Sequence, residues 1–489
     1  MYILYNLINN MYGKSSDVIG EGTYGCVHSP SLTCKNAPHI SYNKKVSKIL
    51  RKKDANIELD EYKKLKNADG SNEFYLGTPD KCDLDTNNVL NMKSIEKCKI
   101  GNDVLRKIDQ YNLIIMKDGG INLKEYTENM RTWSVSEESK ENCEVFLLET
   151  LRLFKGLKIF ESNGLIHHDV KPQNIVYNEK TNRLNYIDFG LMVSRNKVIK
   201  QASSGNYGFA LFHWSYPWEL EFINRLAYKS VFENPEKQEI HVNNVKNEIE
   251  KKKGNYYEHS SNFFYFVMDK NSSTMQYQSD CGEYILGYER TIKRNIDEMK
   301  YKKFLESSVR TIDIFGLGLT LHYWLHAAKK HLSQSLISDL TGLYSKMIEP
   351  ELKYRPFINE LLIEMEAILN KNGIIEKYNK KIVDHLVIDN DVQTPTPIVI
   401  EPERQMFDKI TKPNEKLINA TPTPCSEGKK RNENGNCVRI KKKALHKLLL
   451  PCPPGKIRNP KTRRCVKKCK PEQVRNEKFK CIKNKTKKL

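Results

Sequence analysis

One stretch, Ile166 to Gly190, limits what this chain can fold into more than any other feature of it. It reads IHHDVKPQNIVYNEKTNRLNYIDFG, with Asp169, Lys171 and Asn174 within six positions and the triplet Asp188-Phe189-Gly190 starting nineteen positions after Asp169. Two carboxylates, an amide and a lysine at that spacing suit the transfer of a nucleotide's terminal phosphoryl group. One carboxylate orients the attacking hydroxyl. The amide and the second carboxylate hold Mg²⁺ ions against the phosphates, and the lysine stabilises the charge that develops in transit.

Flanking segments agree. Ile19-Gly20-Glu21-Gly22-Thr23-Tyr24-Gly25-Cys26-Val27 fits G-x-G-x-x-G-x-V, in which glycines let backbone amides approach phosphates and the valine packs on a base. Lys48 lies on the apolar strand Val46-Ser47-Lys48-Ile49-Leu50, and Asp54 is a plausible N-cap for a helix that buries Ile57, Tyr62 and Leu65. Further on come Tyr216-Pro217-Trp218-Glu219, Asp313-Ile314-Phe315-Gly316-Leu317-Gly318 and Arg355-Pro356.

In this order, across roughly residues 15–370, these motifs resemble those of eukaryotic-type protein kinases. The resemblance implies an α+β, two-lobed fold: a small β-rich N-lobe, a large helical C-lobe, and an ATP and Mg²⁺ site between them. It makes Asp169 the catalytic base and Lys171 the stabiliser of the moving phosphoryl group. Asn174 and Asp188 become the metal ligands, and Ile19 through Val27 with Lys48 the ATP-binding set. Lys48 pairs with a helix glutamate, Glu58 or Glu61, and Glu61 is preferred as nearer the helix middle. Asp313 is expected to brace the catalytic loop and Arg355 to pair with Glu219. Lys171-Pro172-Gln173-Asn174 is similar to the serine/threonine type, and Leu191 after the metal-loop glycine weakly favours serine. One departure stands out: His167-His168-Asp169 puts a histidine where these enzymes usually carry the arginine that binds a phosphorylated activation loop. Little dependence on phosphate at Ser203, Ser204 or Tyr207 is therefore expected.

Charge is unevenly spread. Of the formal net charge of +21, the segment Cys425–Leu489 holds +19, from 23 Lys and Arg against 4 Asp and Glu. Six of the 12 cysteines also lie there, at Cys425, Cys437, Cys452, Cys465, Cys469 and Cys481. Cys425, Cys452 and Cys469 are each followed six and seven positions later by Arg-Asn, then by a second cysteine, which makes a threefold repeat. Shared zinc sites, disulfide-closed loops and free thiols all fit it. The unit resembles two-cysteine adaptor repeats appended to kinases and proteases of large nucleocytoplasmic DNA viruses, which implies targeting and a place in the host cytoplasm or the virion. The other cysteines show no pairing pattern and are expected to be reduced.

The expected organisation is a kinase domain at 13–370 with an insertion at about 222–308, a linker at 386–424 with Thr-Pro runs, and a basic tail at 425–489. The small lobe is expected to contain one helix. No apolar run is long enough to span a membrane, and the N-terminus lacks the basic region of a signal peptide. Serine or threonine residues of proteins are the expected substrates, with acidic proteins or nucleic acid docking on the tail. Phe479 is the tail's only aromatic residue, which argues against base stacking. The rival from another class is an inactive kinase-like scaffold presenting a binding tail; Lys48, Asp169, Asn174 and Asp188 being all present argues against it.

Overall fold

A computed structural model describes residues 16–379, except 23–24, 38, 209–212, 233, 270–272 and 299–300, together with six short strands of the tail. The N-terminal fifteen residues, both Thr-Pro runs, Thr23, Tyr24, Cys425, Cys452 and Cys469 lie outside the described residues. The chain divides into two units, Met1–Val392 and Gln393–Leu489.

The first unit begins with an antiparallel sheet of β1 (Asp17–Gly22), β2 (Gly25–Ser29), β3 (Lys45–Arg51), β4 (Asp80–Cys82) and β5 (Tyr111–Lys117), in the order β1-β2-β3-β5-β4. Its middle strands, KVSKILR and YNLIIMK, are rich in β-branched and aliphatic residues, and Ile49, Leu113 and Ile114 are fully buried. Helix α1 (Lys52–Ala68) follows β3 with no intervening loop. This sets its phase: Ala55, Glu58, Tyr62 and Leu65 recur at steps of three and four on the buried side. Arg51 is the N-cap position and Asp54 lies in the first turn, where its charge suits the helix dipole. Ile57, expected inside, points outward and is 45% exposed.

Two features of this region correct the sequence reading. It has three helices rather than one, since α2 (Val89–Glu96) and α3 (Gly101–Arg106) pack below β2 and β5 around Ile95 and Val104. Its cysteines are paired rather than reduced, as Cys26–Cys98 and Cys34–Cys82. The second joins the β2–β3 connection to the end of β4, and the first ties the glycine-rich end of the sheet to the α2–α3 segment and closes a loop of 72 residues. Loop-closure entropy at that length contributes about 4 kcal/mol.

Next come β6 (Ile121–Asn122), α4 (Leu123–Arg131), α5 (Glu137–Ser162), β7 (Leu165–Ile166), β8 (Ile175–Asn178), β9 (Arg183–Tyr186), β10 (Val193–Ser194) and α6 (Arg195–Ser203). Helix α5 starts with a capping box, Ser136 and Ser139 each accepting from the other's backbone N–H. The 222–308 stretch folds as α7 (Arg225–Phe232), α8 (Pro235–Glu250), α9 (Asn255–Val267) and α10 (Thr274–Glu298). Helices α11 (Tyr301–Ala328), α12 (Gln334–Met347) and α13 (Ile358–Lys371) complete the unit. From Thr311 to Leu325 every residue of α11 is buried. A helix apolar all round belongs at the centre, and α11 separates two cores. One holds α4, α5, α12 and α13, with Phe146 stacked on Trp324 at 4.5 Å. The other holds α7 to α10.

In the second unit the repeat takes shape as three hairpins: β11 (Lys429–Arg431) with β12 (Cys437–Arg439), β13 (Lys456–Arg458) with β14 (Cys465–Lys467), and β15 (Gln473–Arg475) with β16 (Cys481–Lys483). Their registers match. Arg431, Arg458 and Arg475 stand opposite Cys437, Cys465 and Cys481. Among the described residues no helix is long and apolar enough to cross a membrane.

Candidate active site

β3 carries Lys48 between Val27 on β2 and Ile114 on β5. The β1–β2 turn stays close to the sheet at Gly25, where a Cβ would lie 1.8 Å from the carbonyl oxygen of Ile49, so only glycine fits. That turn is also anchored from outside the sheet: the Lys99 N–H donates to Glu21 at 2.7 Å, Lys97 pairs with Asp17 at 2.7 Å, and Cys26 is bonded to Cys98.

The Lys48 ammonium donates to Glu58 and to Asp188, each at 2.9 Å. Burial pulls the Lys48 pKa down, but Asp188 and Glu58 outweigh it and hold it above the usual lysine range. The Lys48 charge holds the Asp188 carboxyl below the usual range. Burial raises that of Glu58, with Lys48 opposing. Glu61 is not the partner of Lys48, contrary to the sequence preference. It turns to Lys64 at 2.6 Å, because the loopless β3–α1 junction puts residue 58, not 61, on the side facing the strand. Asp188 itself has φ 60°, a left-handed conformation that Asp adopts more readily than most residues. Phe189 behind it is fully buried against Tyr62 of α1 and Phe160 of α5.

The loop that carries Asp169, Lys171 and Asn174 lies between β7 and β8. Lys171 donates to both oxygens of Asp169 at 2.9 Å, and the Asn174 amide donates to Asp169 Oδ2 at 2.7 Å and to the Asp169 carbonyl at 2.9 Å. Among the described residues no hydrogen bond reaches the Asn174 side-chain oxygen or Asp188 Oδ2. The Ile187 N–H donates to the Asn174 carbonyl at 3.0 Å, which ties the two loops together beside Asp188. His167 Nε2–H donates to the Ile187 carbonyl at 3.1 Å, and its Nδ1 accepts from the Asp169 N–H at 3.3 Å.

Helix α11 braces the loop. Asp313 accepts from the backbone N–H groups of His167 and His168 at 2.7 and 2.8 Å. Gly316 lets the helix close in, since a Cβ there would lie 2.2 Å from the Val170 carbonyl oxygen. Arg355 pairs with Glu219 at 2.6 Å, both side chains at most 1% exposed. His168 is completely buried between Tyr207 and Tyr216.

The structure thus brings Lys48 onto Asp188, and the Ile187–Asn174 hydrogen bond sets that pair beside Asp169, Lys171 and Asn174. Ile19 is 53% exposed, and Thr23 and Tyr24 fall outside the described residues. Sequence reasoning missed His259 of α9, whose Nδ1 accepts from the Trp218 indole at 2.7 Å while its Nε2–H donates to the Tyr216 carbonyl at 2.8 Å. Trp218 packs edge-on against Tyr256, Tyr284 and Tyr288, so α9 and α10 form a wall behind the end of the segment that starts at Asp188. The aromatic residues at 256, 263, 264, 284 and 288 were the available sign that this stretch has a core of its own.

No protein-family model matches the chain. Over 203 residues, 40% of this chain and 47% of the relative, it is 26% identical to mitogen-activated protein kinase 13 of Arabidopsis thaliana. Over 41 residues, 8% of this chain and 7% of the relative, it is 46% identical to the human cell division cycle 7-related protein kinase. The chain spans about half the length of the first of these and a small part of the second. It is distantly similar to eukaryotic protein kinases, and its sheet-then-helices architecture is compatible with their fold.

Proposed function

We propose that the chain is an ATP- and Mg²⁺-dependent protein kinase that phosphorylates serine or threonine. The observation that carries this is Lys48 bridging Glu58 and Asp188, with Asp188 on the loop that is hydrogen-bonded to that of Asp169, Lys171 and Asn174. Lys48 and the β1–β2 turn hold the nucleotide phosphates. The free oxygens of Asn174 and Asp188 are hard donors of the kind Mg²⁺ takes, and a bound ion would neutralise charge on the phosphates. Asp169 accepts the hydrogen bond of the substrate hydroxyl and points its oxygen at the phosphorus, while Lys171 stabilises the migrating group. Wild type should incorporate radiolabelled phosphate from ATP into serine or threonine of a general acceptor protein. Asp188→Ala should abolish incorporation, and equal turnover in the two would sink the reading.

The basic tail is proposed as a docking arm. The support is its +19 charge and the three hairpins in one register. Deleting residues 425–489 should leave turnover on a short peptide within about two-fold while weakening binding to an acidic protein, most at low salt where lysine and arginine are least screened. Equal binding by the truncated and full chains across that salt range would dismiss the arm.

A further inference from the structure

The position that usually answers a phosphate carries His168, and its surroundings in this fold are of another kind. His168 is completely buried with φ 66°, held by its N–H on Asp313 and by the Tyr216 hydroxyl, which donates to its carbonyl oxygen. A tyrosine hydroxyl has one hydrogen. Having given it to that carbonyl, Tyr216 accepts from the ring, so Nδ1 carries the proton in the 2.8 Å contact between them. Nε2 is then an acceptor, and the Tyr207 hydroxyl donates to it. One neutral tautomer satisfies all three groups.

Both tyrosines belong to the segment between Asp188 and Glu219, and each is fixed a second time. Tyr207 exchanges two hydrogen bonds with Asn224, at 3.1 and 2.9 Å, and Tyr216 holds the Nε2–H of His259 on its carbonyl at 2.8 Å. The start of the segment is pinned by the pairing of Val193 with Ile166 and by the Arg195 N–H on the Gly164 carbonyl at 2.7 Å.

We propose that His168 is a positioning residue: a neutral bridge that latches this segment through Tyr207 and Tyr216, so that phosphoryl transfer needs no phosphate on the segment. The inference rests on the kinase reading and names the regulation of that site. Burial supports it by holding the imidazole pKa down to about 4, with His167 and His213 nearby opposing a charge there. Among the described residues the ring also meets the two tyrosine hydroxyls, and the Asp313 carboxylate takes the His168 backbone N–H. A buried neutral ring hydrogen-bonded to hydroxyls has no charge to offer a phosphate. Tyr207 is 4% exposed and its hydroxyl is engaged with His168, so it is no substrate for another kinase in this arrangement.

The experiment uses the full chain, treated with phosphatase and checked by mass spectrometry for phosphate-free Ser203, Ser204 and Tyr207. Its rate on an acceptor peptide should stay within about two-fold of the untreated chain. Tyr207→Phe keeps the ring and removes the donor. It should lower kcat about ten-fold, leave the KM for ATP unchanged, and speed tryptic cleavage after Lys197 and Lys200. His168→Gln, whose amide both donates and accepts, should retain several-fold more activity than His168→Leu. A rate that collapses on phosphatase treatment and returns on rephosphorylation overturns the latch. So does Tyr207→Phe that matches wild type in both turnover and proteolysis. A wild type that transfers no phosphate at all overturns the kinase reading instead, and proteolysis of the two His168 variants then decides the latch.

Discussion

Asp169→Asn should lower kcat by about 10³-fold and leave the KM for ATP within a few-fold. The substitution keeps size and shape but removes the charge that two neighbours depend on. Lys171 donates to both Asp169 oxygens and Asn174 donates to Oδ2. In the variant one of those oxygens becomes an NH₂, which faces a donor and must turn away, so Lys171 loses half its anchor. On the proposed reading, the substrate hydroxyl also loses the carboxylate that accepts its proton. The phosphate-binding side is spared, because Lys48 answers to Glu58 and Asp188 and not to Asp169. Steady-state kinetics on an acceptor peptide, with a thermal melt to show the variant is folded, checks this. A loss of less than about ten-fold would remove Asp169 from the chemistry.

The residues of the cleft were legible because their chemistry is local. Asp169, Lys171 and Asn174 sit on one loop, and the loop's length alone brings the lysine and the amide onto the carboxylate. What reads poorly is anything fixed by the phase of an element or by a distant partner. The choice between Glu58 and Glu61 depends on where α1 begins, and Asp54 suggested a start that the direct β3–α1 junction rules out. The stripe Ala55, Glu58, Tyr62, Leu65 was present in the sequence and would have placed Glu58 on the strand side and Ile57 outside. The bonds of His168 reach 39 and 48 residues along the chain, to Tyr207, which carries no motif, and to Tyr216, whose motif gave no sign of this contact. The cysteine bridges span 72 and 48 residues, the first of them into a segment whose two helices were not foreseen, so no spacing rule could have paired them.

The stretch at 222–308 shows the same limit from the other side. Its Asn- and Lys-rich composition reads as an addition, yet its aromatic residues close the core behind Trp218 and its His259 holds the Tyr216 backbone. A stretch that shares a core with the segment beside the Asp169 loop is part of how that loop is held. Composition describes the solvent face of such helices well and the inner face badly.

The largest stability effect is expected at Arg355. Its side chain is fully buried and makes five hydrogen bonds at once: to Glu219 from Nη1 and Nη2 at 2.6 and 3.4 Å, to Thr311 at 3.1 Å, and to the Glu349 carbonyl from Nε and Nη2 at 3.0 and 2.7 Å. Arg355→Met keeps most of the volume but leaves the Glu219 carboxylate uncompensated in the interior. Removing one partner of a buried pair costs about 3–5 kcal/mol, so Tm should fall by roughly 5–10 °C. Glu219→Leu alone should be similarly harmful, because it strands the guanidinium. The double variant should lose much less than the two single losses together, since an apolar pair of similar size has no charge left to bury. Thermal and urea melts of the four chains measure this coupling. Strictly additive losses would mean that the two side chains stabilise the fold separately, through Glu349 and Thr311 on one side and the Trp218 wall on the other, and that the ion pair between them contributes little.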